Sequence, residues 1–116
     1  MNFKNVVIQA VAAIEPPIRV TSHELSERLL PTLQRLGIRT DLLEELSGIV
    51  ARRFWVNGTL PSDAATLAAE KVLQQCQLDR ELIGVIINTS VCRDYLEPST
   101  ACIVHGNLRL GEDCLN

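Results

Sequence analysis

Six consecutive residues without a polar side chain, Leu82 to Ile87 (LIGVII), constrain the fold of this chain more than any other segment. The run is shorter than a helix needs and has no position to turn toward water, so it reads as a central strand covered on both faces. Such a strand requires helices to cover it, and the preceding residues offer one. Ala65, Ala68, Ala69, Val72, Leu73 and Cys76 recur at the spacing of one buried helical face, behind Ser62 and Asp63 as caps. The small side chains on that face permit close approach to a sheet. Further upstream, Asn5 to Ala13 (NVVIQAVAA) is rich in β-branched residues, is closed by Pro16-Pro17, and reads as a second strand.

The remaining segments alternate with these strands. Thr21-Ser22-His23-Glu24 has the form of a capping box, after which Leu25, Leu29, Leu33 and Leu36 share a helical face that Gly37 ends. A shorter helix opens at Asp41 and stops at Gly48. Ile49 to Val56 reads as extended and partly exposed, followed by an Asn57-Gly58 turn. After the central run, a polar loop from Asn88 to Glu97 leads to a helix beginning near Pro98. Proline suits a first helical position because its lack of an N–H costs nothing there. Strands alternating with helices give an α/β layered fold. With only two strands, the sheet is incomplete and its edges are unpaired.

Composition narrows the function. Four aromatic residues in 116 leave the core to Leu, Ile, Val and Ala, and a net charge of −3 with scattered Lys and Arg provides no basic stripe for nucleic acid. Cys76, Cys92, Cys102 and Cys114 stand at least ten residues apart, and His23 and His105 share no ligand spacing, so no metal site is expected. The cysteines read as reduced and mostly buried thiols of a cytoplasmic protein. Lys4 followed by Val6 to Ile14 has the outline of a signal peptide, but Gln9 interrupts the run and the Ala10-Val11-Ala12 match lies inside it. No run approaches the length of an integral membrane segment.

From Gly84 to Ala101 the sequence G-V-I-I-N-T-S-V-C-R-D-Y-L-E-P-S-T-A is more specific than periodicity. It resembles β-ketoacyl synthase III and its relatives in the thiolase superfamily, which carry here a strand, a T-S loop and a P-S-x-A helix start. The string R-D-Y-L-E-P-S-T-A is similar to the OleA branch, which condenses two fatty acyl-CoA molecules head to head. Upstream, L-x-x-L-G-I at Leu33 to Ile38, G-I-x-A-R-R at Gly48 to Arg53 and S-D-A-A at Ser62 to Ala65 resemble the same branch in order. The resemblance implies that residues 1–116 form the N-terminal part of a thiolase-like condensing domain, a portion of its αβαβα layers ending before the nucleophile motif.

The implied parent reaction is a Claisen condensation of acyl thioesters to a β-ketoacyl-CoA, with acyl-CoA as substrate and no cofactor. The nucleophilic cysteine, histidine and asparagine of that family have no match in this chain, which is therefore expected to be inactive alone. Its expected partners are a second copy in a homodimer or a complementing C-terminal half. An open apolar sheet likewise asks for a partner. Two alternatives stand beside this reading: a stand-alone, non-catalytic binding protein built on the same scaffold, and a piece of an ordinary 3-oxoacyl carrier-protein synthase III. Among site residues the resemblance singles out Glu97, implied to reach across a homodimer into the neighbour's acyl pocket as the base for the second acyl-CoA. A residue preceding proline is held extended, so Glu97 should project from a stiff junction. Cys102 is expected to be a packing residue and Cys92 an exposed thiol. Arg52 and Arg53, near Trp55, read as solvated or ion-paired. The tryptophan and arginine that hold CoA adenine in synthase III relatives are replaced by Leu42 and Leu46, which leaves the CoA contacts unassigned.

Overall fold

A computed structural model describes residues 4–116. The first three residues of the 1–116 span lie outside the described residues. The chain divides into two compact units: Glu15–Asn57, and the residues up to Ile14 together with Gly58–Asn116.

In the Glu15–Asn57 unit, strand β1 (Ile18–Thr21) pairs antiparallel with β2 (Ala51–Phe54), and helices α1 (Ser22–Arg35) and α2 (Leu42–Ser47) lie between them in sequence. The register sets Val20 opposite Arg52 and Arg19 opposite Arg53. Like charges directly opposite repel, and Arg53 is offset by Glu15 at 3.1 Å and by the carbonyl of Pro16 at 3.1 Å. Strand β1 was not legible as a strand: it has four residues, and only Val20 is buried deeply.

Helix α1 starts with the expected capping box. The Thr21 hydroxyl accepts from the Glu24 amide, and the Glu24 carboxylate accepts from the Thr21 amide at 2.6 Å. Its buried face differs from the leucine stripe. Ser22, Ser26 and Leu33 are buried, Leu25 is half-buried, and Leu29 and Leu36 are exposed. The two serine hydroxyls donate to the carbonyls of Ile49 and Thr40, which turns that side of the helix toward residues 40–50. Pro31 sits inside α1 and supplies no N–H there. Gly37 and Gly48, at φ 66° and 65°, end the two helices in the left-handed region that glycine adopts without cost.

In the other unit, α3 (Pro61–Cys76) and α4 (Thr100–Leu108) pack together. Val104 and Leu108 are buried, and the predicted face of α3, from Ala65 to Cys76, is half-buried throughout. A single 3₁₀ turn at Arg80–Leu82 carries the residue that ties the helices. The Arg80 guanidinium meets both carboxylate oxygens of Glu70 on α3, at 2.8 and 2.6 Å, and donates to the carbonyl of Leu108 at the end of α4, at 2.6 Å. Asn107 on α4 donates to the Thr66 hydroxyl on α3 at 3.1 Å.

Both expected strands of this unit require correction. Asn5–Ala13 has no regular structure, and Val7 and Ile8 are 84% and 86% exposed. Within Leu82–Ile87 only Val85 forms a bridge, parallel to Leu115, through bonds from Ile86 N–H to the Leu115 carbonyl (2.8 Å) and from Leu115 N–H to the Gly84 carbonyl (3.0 Å). A strand exists by its ladder, and among the described residues neither segment has any further bridge. The helix expected from Pro98 begins at Thr100, and α3 begins at Pro61 rather than behind Ser62. What stands is a partial α/β fold with an incomplete sheet.

Two predictions follow from these anchors. Arg80→Ala should lower the unfolding free energy by about 1–2 kcal/mol, discounted for its partial exposure; an unchanged urea midpoint would show that the clamp carries no stability. The hydrogen bond from the Thr21 amide, and then that from its hydroxyl, hold the Glu24 carboxyl below its ordinary value of 4.5. Because the folded value is the lower one, this contribution is whole above pH 4.5 and fades as the pH falls through the folded value. Glu24→Gln should therefore remove part of the acid-induced loss of helical circular dichroism, and superimposable acid titrations of the two proteins would refute it.

Candidate functional site

The loop from Asn88 to Ser99 carries no regular structure, so separate anchors must hold it. The Asn88 side chain accepts from the Ser90 amide at 3.0 Å in an Asx turn. At the far end the Ser99 hydroxyl accepts from the Cys102 amide at 3.1 Å and caps α4. Between them, the Asp94 carboxylate accepts from the Ser62 amide at 3.0 Å, thirty-two residues away in sequence at the start of α3.

The backbone donors of the first turn of α3 explain that long-range bond. Pro61 has no N–H, Asp63 and Ala64 donate to the Leu60 carbonyl, and the Leu60 amide is taken by the Asp63 carboxylate at 2.9 Å. Ser62 is the donor left over, in a residue only 2% exposed. Asp94 supplies the acceptor. Leaving such a buried amide unpaired costs about 1–3 kcal/mol. The other oxygen of Asp94 and the hydroxyl of Thr100 are buried without a partner among the described residues.

A groove of about 360 Å³ opens between this loop and the start of α4, lined by Ser90, Arg93, Tyr95, Leu96, Glu97 and Thr100 among others. Glu97 is exposed on it and forms no hydrogen bond or ion pair among the described residues. It precedes Pro98 through a cis peptide bond. The loop around it is polar in sequence, with Arg93 on the same groove, and two of its apolar side chains are uncovered: Val91 is 98% and Leu96 77% exposed. The groove thus sets an exposed carboxylate among both polar and apolar side chains.

No family profile matches the chain. Individual proteins do. It is 53% identical over 99% of its length to an acyl-CoA:acyl-CoA alkyltransferase of Xanthomonas campestris pv. campestris, and 37% identical over 97% to one of Shewanella oneidensis. Among solved structures, acetamide-bound Xanthomonas campestris OleA superposes with a TM-score of 0.90 at 53% identity, covering 99% of this chain and 35% of that one. A variant of the same enzyme with a glutamate changed to aspartate gives 0.89 at 52% identity, covering 99% and 35%.

The chain is a homologue of OleA.

It spans about a third of the length of the curated relatives it matches, 34% and 32%. The likeness to OleA runs through the loop that carries Glu97, so the segment singled out in the sequence lies within the shared fold. Other expectations fare differently. Arg53 is ion-paired with Glu15, and Arg52 donates to the Ser22 hydroxyl at 3.1 Å, as a structural arginine pair should. Cys102, expected to pack, is exposed on α4; Cys92 is exposed, Cys76 half-buried and Cys114 buried, so the thiols are not mostly buried. His105 meets the carbonyl of Gly111 at 3.2 Å, and no metal-binding group of residues occurs among the described residues. No helix is long and apolar enough to cross a membrane among the described residues. A second cavity of about 380 Å³, in the Glu15–Asn57 unit, is lined by Ser22, Ser26 and Asp41 among others, and its two serine hydroxyls are committed to backbone carbonyls.

Sequence reasoning missed Asp94 and Arg80. The partner of each lies on a separate element, so local spacing carries no sign of the pairing. The exposure pattern predicts that Ellman's reagent titrates Cys92 and Cys102 rapidly in the folded chain and Cys114 only after unfolding. Four equally fast thiols would contradict the packing around Cys114.

Proposed function

We propose that this chain supplies the base-bearing part of an enzyme that condenses two fatty acyl-CoA molecules into a β-ketoacyl-CoA. The observation that carries the reading is 53% identity across 99% of the chain with an acyl-CoA:acyl-CoA alkyltransferase. The groove is compatible with it, since Glu97 is exposed there beside the uncovered side chains of Val91 and Leu96. Crystallised OleA variants include one with a glutamate changed to aspartate and another with a glutamate changed to glutamine, the latter bound to cerulenin, which supports a working glutamate in that enzyme.

The chemistry divides between two parts. A cysteine thiolate attacks the first acyl-CoA carbonyl and expels CoA thiolate, leaving an enzyme thioester. Glu97 takes the α-proton of the second acyl-CoA. The resulting enolate carbon attacks the thioester carbonyl, a carbon–carbon bond forms, and the cysteine thiolate leaves. Backbone and side-chain donors must stabilise the oxyanions of both steps. Neither step calls for a cofactor. The resemblance matches none of this chain's cysteines to the first role: Cys102 lies beyond the Pro98-Ser99-Thr100 opening of α4, Cys92 is in the loop before it, and Cys114 is buried. Glu97 therefore acts within a homodimer or an assembly with a complementing half, reaching the acyl pocket of the neighbouring subunit. Four free cysteines and the absence of a membrane-crossing helix among the described residues support a cytoplasmic setting.

Mass spectrometry after incubation with a long-chain acyl-CoA tests the division. No acyl adduct is expected on this chain alone, and a thioester is expected once it is joined to the part of Xanthomonas OleA that it does not match. In that chimera Glu97→Ala should abolish condensation while the thioester still forms. A stable thioester on the isolated chain would instead place the nucleophile on one of its own cysteines.

A further inference from the structure

We infer that Asp94 is the positioning residue for Glu97, and that it acts by tying the Glu97 loop to the first turn of α3; the inference rests on the reading of Glu97 as the base. Glu97 lies three residues after Asp94 and two before Ser99, and each of those neighbours is bonded to a backbone amide at a helix start: Ser62 of α3 at 3.0 Å and Cys102 of α4 at 3.1 Å. The segment between them is held at both ends by two helices that pack on one another. Tyr95, Leu96, Glu97 and Pro98, inside the tether, are all exposed and make no side-chain hydrogen bond among the described residues.

The bond is specific in both directions. Ser62 is the one first-turn amide of α3 that Leu60 and Asp63 leave unpaired, so that turn has a place for a single outside acceptor. Asp94 is half-buried, and its second oxygen is enclosed without a partner among the described residues.

The test uses two measurements. In this chain, Asp94→Ala should speed hydrogen exchange at the Ser62 amide and raise the mobility of the Glu97 amide in NMR relaxation, while Asp94→Asn, whose side-chain oxygen still accepts, should restore both. In the chimera with the unmatched part of Xanthomonas OleA, Asp94→Ala should cut the kcat for condensation roughly 100-fold, the scale of a misplacement of about 1 Å. KM and the rate of thioester formation should stay unchanged, and Asp94→Asn should recover most of the loss. Condensation and thioester formation falling together would overturn the inference by showing a general folding role. Full condensation in Asp94→Ala, beside a dead Glu97→Ala, would overturn it while leaving Glu97 in place. Full condensation in Glu97→Ala itself would instead remove the base, and the positioning role with it.

Discussion

A buried N–H has to find an acceptor, and the start of α3 makes that demand at a single point. Proline at the first helical position and the Leu60–Asp63 exchange satisfy every other donor of the turn, leaving Ser62 to a residue on another element. Asp94 answers it, and in doing so fixes the middle of an otherwise irregular loop. The C-terminal ends of the same helices show the complementary solution. Gln77 and Arg109 take left-handed conformations at φ 49° and 53°, and Arg80 bridges the Glu70 carboxylate to the last carbonyl of α4. The unit is thus joined at both ends by pairing of backbone groups, while its apolar core is small and centred on Val104 and Leu108.

Apolar burial is less complete. Ile87 and Leu115 are 78% and 70% exposed, beside the single parallel bridge. An α/β layer buries such residues by stacking strand on strand and helix on sheet. Here the described residues supply one antiparallel ribbon and the beginning of one parallel pair. That state accords with a chain that spans about a third of its relatives' length.

The sequence was most informative where the governing interaction is local. The capping box at Thr21–Glu24, the glycine stops at Gly37 and Gly48, the Asn57-Gly58 turn and the half-buried face of α3 all depend on neighbours within a turn or two, and each could be read directly. The two apolar runs were read as strands because composition reports how well a residue suits a sheet, not whether another strand lies beside it. β1 went unread for the opposite reason. Ile18–Thr21 is too short to show alternation, and its pairing is decided by Arg52 and Ala51 thirty residues on. At the site, Glu97 was found through a resemblance, whereas Asp94 left no local trace because its partner precedes it by thirty-two residues.

The parallel bridge between Val85 and Leu115 has a consequence for the order in which the chain folds. The caps of α1 and α4 close over three residues and can form as soon as those residues meet. The bridge has to bring together the two ends of a segment that contains the whole Asn88–Ser99 loop and α4, and the entropy of closing that loop is paid before any ladder bond repays it. α4 docked on α3 shortens the path that remains to be closed. Helix docking should therefore come first and the sheet contact last, so that the loop bearing Glu97 reaches its final setting before the strand edge beside it is sealed.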